Sequence, residues 1–217
     1  MIKKLREPMN GFTHFIGILF AIVATVLMIN ESLQPYKPYH LISFCIFGAG
    51  MFLLYTSSTL YHWLRLSEDG IKKMRRVDHI MIFILIAATY TPICLVPLRE
   101  TIGYGVLAGI WGTAILGAMF KIFWLTAPRW LSTAIYLLMA WIALFIMFPL
   151  IHSLPLGALI WLLIGGVFYT VGAVMYGLKK PNPWPGVLGF HEIFHIFVLL
   201  GTFSHFWMIY KYIILLG

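Results

Sequence analysis

Long apolar stretches recur along the chain, each closed by a short cluster of charged or turn-forming residues. An α-helix rises 1.5 Å per residue, so about 20 apolar residues cross the ~30 Å hydrocarbon layer of a bilayer. Seven stretches approach that length, at about 12–30, 41–63, 78–97, 103–121, 131–150, 156–178 and 190–211. Pro97-Leu98-Arg99-Glu100-Thr101 turns the chain between the third and fourth, and Pro149 to Pro155 separates the fifth from the sixth. The segment from Lys179 to Gly186 holds Pro181, Pro183 and Pro185 and must be a loop. The pattern predicts an all-α fold: a polytopic seven-transmembrane helix bundle in the cell membrane, one domain over residues 1–217, with no soluble appendage and no short-period repeat. The stretch from Phe12 to Ile29 follows a basic N-terminus as a signal peptide would, but it has spanning length and no small-residue cleavage site, so it is expected to be retained.

Composition agrees. The chain is 61% hydrophobic and 10% charged, whereas soluble domains carry about 25% charge. Eight Trp and eleven Tyr suit the aromatic belts of a bilayer. The net charge of +8 lies in short segments between apolar runs and reads as topology, not as a surface for nucleic acid. Twelve Lys and Arg fall on one side of the seven runs, against Lys37, Arg99 and Lys211 on the other. Basic residues concentrate in cytoplasmic loops, which places the N-terminus in the cytoplasm and the C-terminus outside. Cys45 and Cys94 form no metal pattern; a disulfide is within reach, but two buried thiols are the expected state.

That direction brings polar residues to one depth. Span two ends with Ser58 and His62, span three begins at Asp78, and span seven begins with His191-Glu192-Ile193-Phe194-His195. Histidines four apart share a helix face, and three neutral imidazoles with one open position are a usual catalytic zinc arrangement. His62, His191 and His195 supply the imidazoles; Asp78 could orient or deprotonate the water, and Ser58, one turn before His62, could hold it or a substrate oxygen. The alternative is that each histidine separately hydrogen-bonds a neighbouring helix. His14 is a reserve ligand or supporting group, His79 points about 100° away from Asp78, and His205, about 15 Å along the helix from His195, is out of reach of the same ion. His40 and His152 are expected in outer loops. HExxH also occurs in metalloproteases with the glutamate as base, but no third ligand follows and no Leu-Asp-Gly occurs. Glu192 is therefore expected near the helix N-terminus, where a carboxylate is favoured. Gly105 and Gly109, and Gly165, Gly166 and Gly172, are expected to allow close helix approach, and Asn10 and Thr13 to cap the first span.

Taken together, Ser58-x-x-x-His62, Arg76-Val77-Asp78-His79, Ala88-Thr89-Tyr90-Thr91-Pro92, His191-x-x-x-His195 and Asn10-Gly11-Phe12-Thr13-His14 resemble the hemolysin III family, within the progestin and adipoQ receptor family. The resemblance covers essentially the whole chain. It implies a seven-helix bundle with the N-terminus inside, Zn2+ held by His62, His191 and His195, and Asp78 with Ser58 on zinc-bound water. Receptor members carry Gln at the position of Glu192, which implies that Glu192 is not an essential base. Relatives are associated with ceramide hydrolysis, and bacterial members with membrane-lipid homeostasis and a haemolysin label. The expected function is a zinc-dependent hydrolase of lipid amide or ester bonds whose partners are membrane lipids, such as a ceramide-like or other acyl-lipid substrate. The competing expectation is a non-enzymatic sensor or cytolysin with structural zinc.

Overall fold

A computed structural model describes residues 5–216; Lys3 and Lys4, counted in the N-terminal basic cluster, lie outside the described residues. The helices are α1 (Pro8–Leu33), α2 (Pro38–Trp63), α3 (Glu68–Leu95), α4 (Gly103–Phe123), α5 (Arg129–Ala140), α6 (Met147–Ser153), α7 (Leu156–Leu178) and α8 (Phe190–Lys211). A 3₁₀ segment, Trp141–Leu144, follows α5, and another, Ile213–Leu215, ends the chain. Six helices are long and apolar enough to span a membrane, and α5 with α6 makes a seventh span if that bent pair is counted as one. Val23, Leu116, Leu138 and Phe145 face outward on the flanks of the bundle, as lipid-facing side chains do. The chain is a multi-pass integral membrane protein.

Several helices begin earlier than their apolar runs. Pro8, at the first turn of α1, has its φ preset for a helix and no amide proton to lose. Asn10 and Thr13 therefore lie inside α1 and do not cap it. Ser67 caps α3 by accepting from Gly70 N, and Glu68 and Asp69 complement the dipole of its first turn. Lys72, Lys73, Arg75 and Arg76, expected in a loop, are consequently helical, and Asp78 stands in the third turn of α3. His40 and His152 are likewise helical, in α2 and α6, rather than in loops.

The expected continuous span at 131–150 is broken. Its two parts meet at a 49° bend. Just before the bend, where α5 gives way to the 3₁₀ segment, Tyr90 of α3 inserts its hydroxyl, donating to Ala140 O at 2.6 Å and accepting from Ala143 N at 2.7 Å. It thus takes an amide that the helical ladder would have used, and a side chain entering the ladder is an established cause of a kink. Pro149, with no amide proton, sits in the first turn of α6, where it is tolerated and suits a fresh helix start after the bend.

Glycine allows close packing, though not everywhere expected. A Cβ at Gly165 would lie 2.7 Å from His205, and one at Gly172 would lie 2.7 Å from Phe197, so α7 is fitted to α8. Gly105 and Gly109 face open space; the buried face of α4 carries Ile110, Ala114 and Gly117, the last set against Phe83. Cys45 and Cys94 are both free, Cys94 buried and Cys45 exposed.

Candidate metal centre

Three helix ends meet at one end of the bundle. The last turn of α2 supplies His62, and the first two turns of α8 supply His191 and His195. The start of α1 is bonded to the end of α2: Glu7 N donates to His62 O at 2.9 Å, and Trp63 Nε1 donates to Pro8 O at 3.1 Å. Trp63 lies flat over Gly11, where a Cβ would fall 2.1 Å from the indole. Any larger residue at Gly11 would push α1 and its Glu7 away from His62.

His62, His191 and His195 each present a ring nitrogen within 4.8 Å of the other two. Their rings stand steeply to one another, with centroids 4.7 to 5.0 Å apart. The hydrogen bonds leave the correct nitrogens free. His62 Nδ1 lies 2.5 Å from Glu7 Oε2; a carboxylate accepts, so Nδ1 carries the proton. His62 Nε2 is then a bare lone pair, buried and without any partner. His195 Nδ1 donates to Asn10 O at 3.1 Å and lies 3.0 Å from Thr13 Oγ1, which itself donates to Asn10 O. A backbone carbonyl fixes this tautomer too and frees Nε2. A buried lone pair with nothing to accept from, such as His62 Nε2, is costly, and three ring nitrogens brought to one point fit a metal ion. Among the described residues no fourth His, Cys, Asp or Glu joins the group.

Glu7 is the residue of this site that sequence reasoning missed. The hydrogen bond from His62 holds its carboxyl below the usual carboxylate range, against the opposing effect of burial, with Arg6 Nε 3.4 Å from its other oxygen. Carboxylates that orient ligand imidazoles are worth about 10–100-fold in metal affinity. Glu7→Gln is therefore expected to weaken metal binding by about that factor in a folded protein. Competition against a chelator of known affinity measures it, and an unchanged affinity would remove Glu7 from this role.

Ser58 and Asp78 reach the same place. Asp78 lies beside Ser58 and His62; Ser58 Oγ is buried and without hydrogen-bond geometry to any partner. His14 stacks on His195 at 3.7 Å, outside the ligand group. His205 is buried against Tyr169 further along α8. Glu192 turns away and accepts from Gly189 N at 2.8 Å, closing the first turn of α8.

His14, Ser58, Asp78, His79, His191 and His195 line a cavity of about 590 Å³. Beyond them its wall becomes apolar, with Leu54, Ile86, Ala140 and Val198. Leu54 precedes His62, and Ile86 follows Asp78, by eight residues, about 12 Å along a helix. Toward the bundle end it is lined by exposed Arg75 and Lys179. The space thus runs from charged, past the imidazoles, to apolar, as an acyl lipid does.

The sequence profile of proteins described as "Haemolysin-III related" matches residues 2–206. The chain is 37% identical over 212 residues to the "Hemolysin-3 homolog" of Bacillus subtilis (strain 168), covering 98% of this chain and 96% of that protein. It is 35% identical over 209 residues to "Hemolysin-3" of Bacillus cereus, covering 96% and 92%. At greater distance it is 28% identical over 225 residues to "Heptahelical transmembrane protein 1" of Arabidopsis thaliana, covering 92% and 67%.

Proposed function

The chain belongs to the haemolysin III-related family, and we propose that it is a zinc-dependent membrane hydrolase of lipid amide or ester bonds, serving membrane-lipid homeostasis. The observation that carries this reading is the site: three imidazole nitrogens within 4.8 Å of one another, with His191 and His195 lining a cavity that has an apolar wall and a charged mouth. Neutral imidazoles with an open position suit zinc among the divalent metals. When bound, zinc supplies Lewis-acid polarisation of a carbonyl and acidification of a water.

The chain's own groups do the rest. Asp78 takes the proton of the attacking water on a carboxylate oxygen and returns it to the leaving nitrogen or oxygen. Ser58 Oγ, with no other partner, donates to a substrate oxygen. Glu7 and Asn10 O hold the His62 and His195 rings in register. Leu54, Ile86, Ala140 and Val198 take the acyl chain and keep water from it. Arg6, Arg75, Arg129 and Lys179 gather at the mouth end of the bundle, which supports a cytoplasmic mouth and N-terminus.

The test is fatty-acid release by detergent-purified protein from a ceramide and from acyl-ester lipids. The expected result is about one zinc per chain and turnover that stops with chelation and returns with zinc. A zinc-loaded protein that releases no fatty acid from either class would sink the hydrolase and leave a lipid sensor or a cytolysin with structural zinc.

A further inference from the structure

We propose that this cavity contains an anion subsite, centred on Lys121 with Arg75, that receives a phosphate on the substrate's headgroup. The inference rests on the hydrolase reading only for the word substrate; the subsite itself stands on the burial of Lys121 and the cavity it shares with Arg75.

Lys121 lies in the last turn of α4 and is 1% exposed, yet it lines the cavity. Its ammonium donates to Ser132 Oγ of α5, a neutral hydroxyl. Arg75 lines the same cavity, and so does Arg129 while resting on the Tyr176 ring at 4.5 Å. Among the described residues none of these three cations forms an ion pair with a carboxylate. The cavity's own carboxylates are Glu7 and Asp78: Glu7 is taken by His62 and Arg6, Asp78 is set against Ser58 and His62 with Arg75 also attracting it, and neither forms an ion pair with Lys121.

Topology accounts for Arg75, Arg129 and Lys179, since basic residues at a cytoplasmic surface are held in water. It does not account for Lys121. A buried ammonium that shares its cavity with other cations and has no carboxylate against it is costly unless something neutralises it. A ligand bearing negative charge is what the site lacks. A phosphate offers several charged acceptor oxygens, enough for an ammonium and a guanidinium together.

The position sets the ligand class. Arg75 precedes Asp78 by three residues, on the same helical face and about 4.5 Å along the axis. An acyl carbonyl held at the histidines therefore has its phosphate a few bonds away, as in an acyl glycerophosphate. A neutral ceramide headgroup would leave Lys121 unanswered.

The experiment measures binding to the full-length protein in neutral detergent, with probes that cannot be hydrolysed: 1-O-tetradecyl-glycerol 3-phosphate, the same ether without phosphate, and inorganic phosphate. Wild type is expected to prefer the phosphate ether over the neutral ether by about tenfold or more, the size of one good charge-assisted contact. Lys121→Gln and Arg75→Gln should each lose most of that preference, while Lys121→Arg keeps it. Should Lys121→Gln fail to purify as a monodisperse species, the exposed Arg75→Gln decides the question alone. Equal binding of the two ethers by wild type, or a wild-type preference in the folded variants, overturns the subsite. Inorganic phosphate bound as tightly as the ether, and lost in the same variants, keeps the anion subsite and assigns it to the free ion. The preference should persist in a metal-free His191→Ala/His195→Ala protein. A protein that keeps the preference but cleaves no acyl lipid overturns the hydrolase and not the subsite.

Discussion

His191→Ala/His195→Ala protein purified without chelators should contain no zinc, against about one per chain in wild type. The expectation follows from the way the ring nitrogens are held in the wild-type protein. His195 has Nδ1 committed to Asn10 O and Thr13, and His62 has Nδ1 committed to Glu7, so each offers one lone pair and cannot offer another by turning its ring. Removing two of three donors leaves His62 Nε2 alone, and a single imidazole on a hydrated ion does not survive purification. A ligand that binds only the folded state stabilises it by about 2.7 kcal/mol at a hundred times its Kd. The variant should therefore also melt at a lower temperature, and added zinc should raise the wild-type midpoint only. The control is His205→Ala. His205 is also buried and lies on the same helix, but ten residues on, about 15 Å away; its loss should leave zinc untouched. Mass-spectrometric metal content on monodisperse protein decides the matter. Zinc at wild-type stoichiometry in the double variant would mean the ion sits elsewhere, and none in wild type would remove the metal reading altogether.

The meeting of His62, His191 and His195 is legible in the chain because two simple signals combine. Hydropathy locates the spans, and the Lys and Arg asymmetry orients them, so residues on non-adjacent spans acquire a common depth. Ser58 with His62, and His191 with His195, then share faces by helical period alone. What stays hidden needs knowledge of which helix touches which. Glu7 precedes an apolar run like any flanking charge; only the backbone bonds tying it to His62 and Trp63 make it a partner of the imidazole. The break after Ala140 lies in an unbroken apolar stretch, and its cause is Tyr90, fifty residues earlier and on another helix. Lys121 was counted with the loop cations because composition cannot separate a lysine in water from one enclosed by α4 and α5. Gly105 and Gly109 mislead for the same reason: spacing gives a face, and not the neighbour of that face.

Asp78→Asn is the substitution that separates chemistry from metal binding. The side chain keeps its volume and its place beside Ser58 and His62, but an amide cannot take a proton from water or return one to a leaving group. Proton transfer by a positioned side chain contributes about 10²–10⁴-fold to a rate. The variant should therefore lose about that factor in kcat for fatty-acid release, with KM little changed, because the apolar wall that holds the chain lies eight or more residues beyond the carboxyl. Zinc content should remain at the wild-type level, since Asp78 is outside the group of three ligands. Ser58→Ala should cost less, about tenfold, as the loss of one hydrogen bond to a substrate oxygen. Three measurements on one preparation distinguish the cases: metal content, kcat and KM. Zinc lost along with activity would make Asp78 a ligand or a support for the fold, and near-normal kcat with zinc retained would assign the proton to another group. His79, one position on and lining the same cavity with Nδ1 unpartnered, is the residue to which that proton would then be traced.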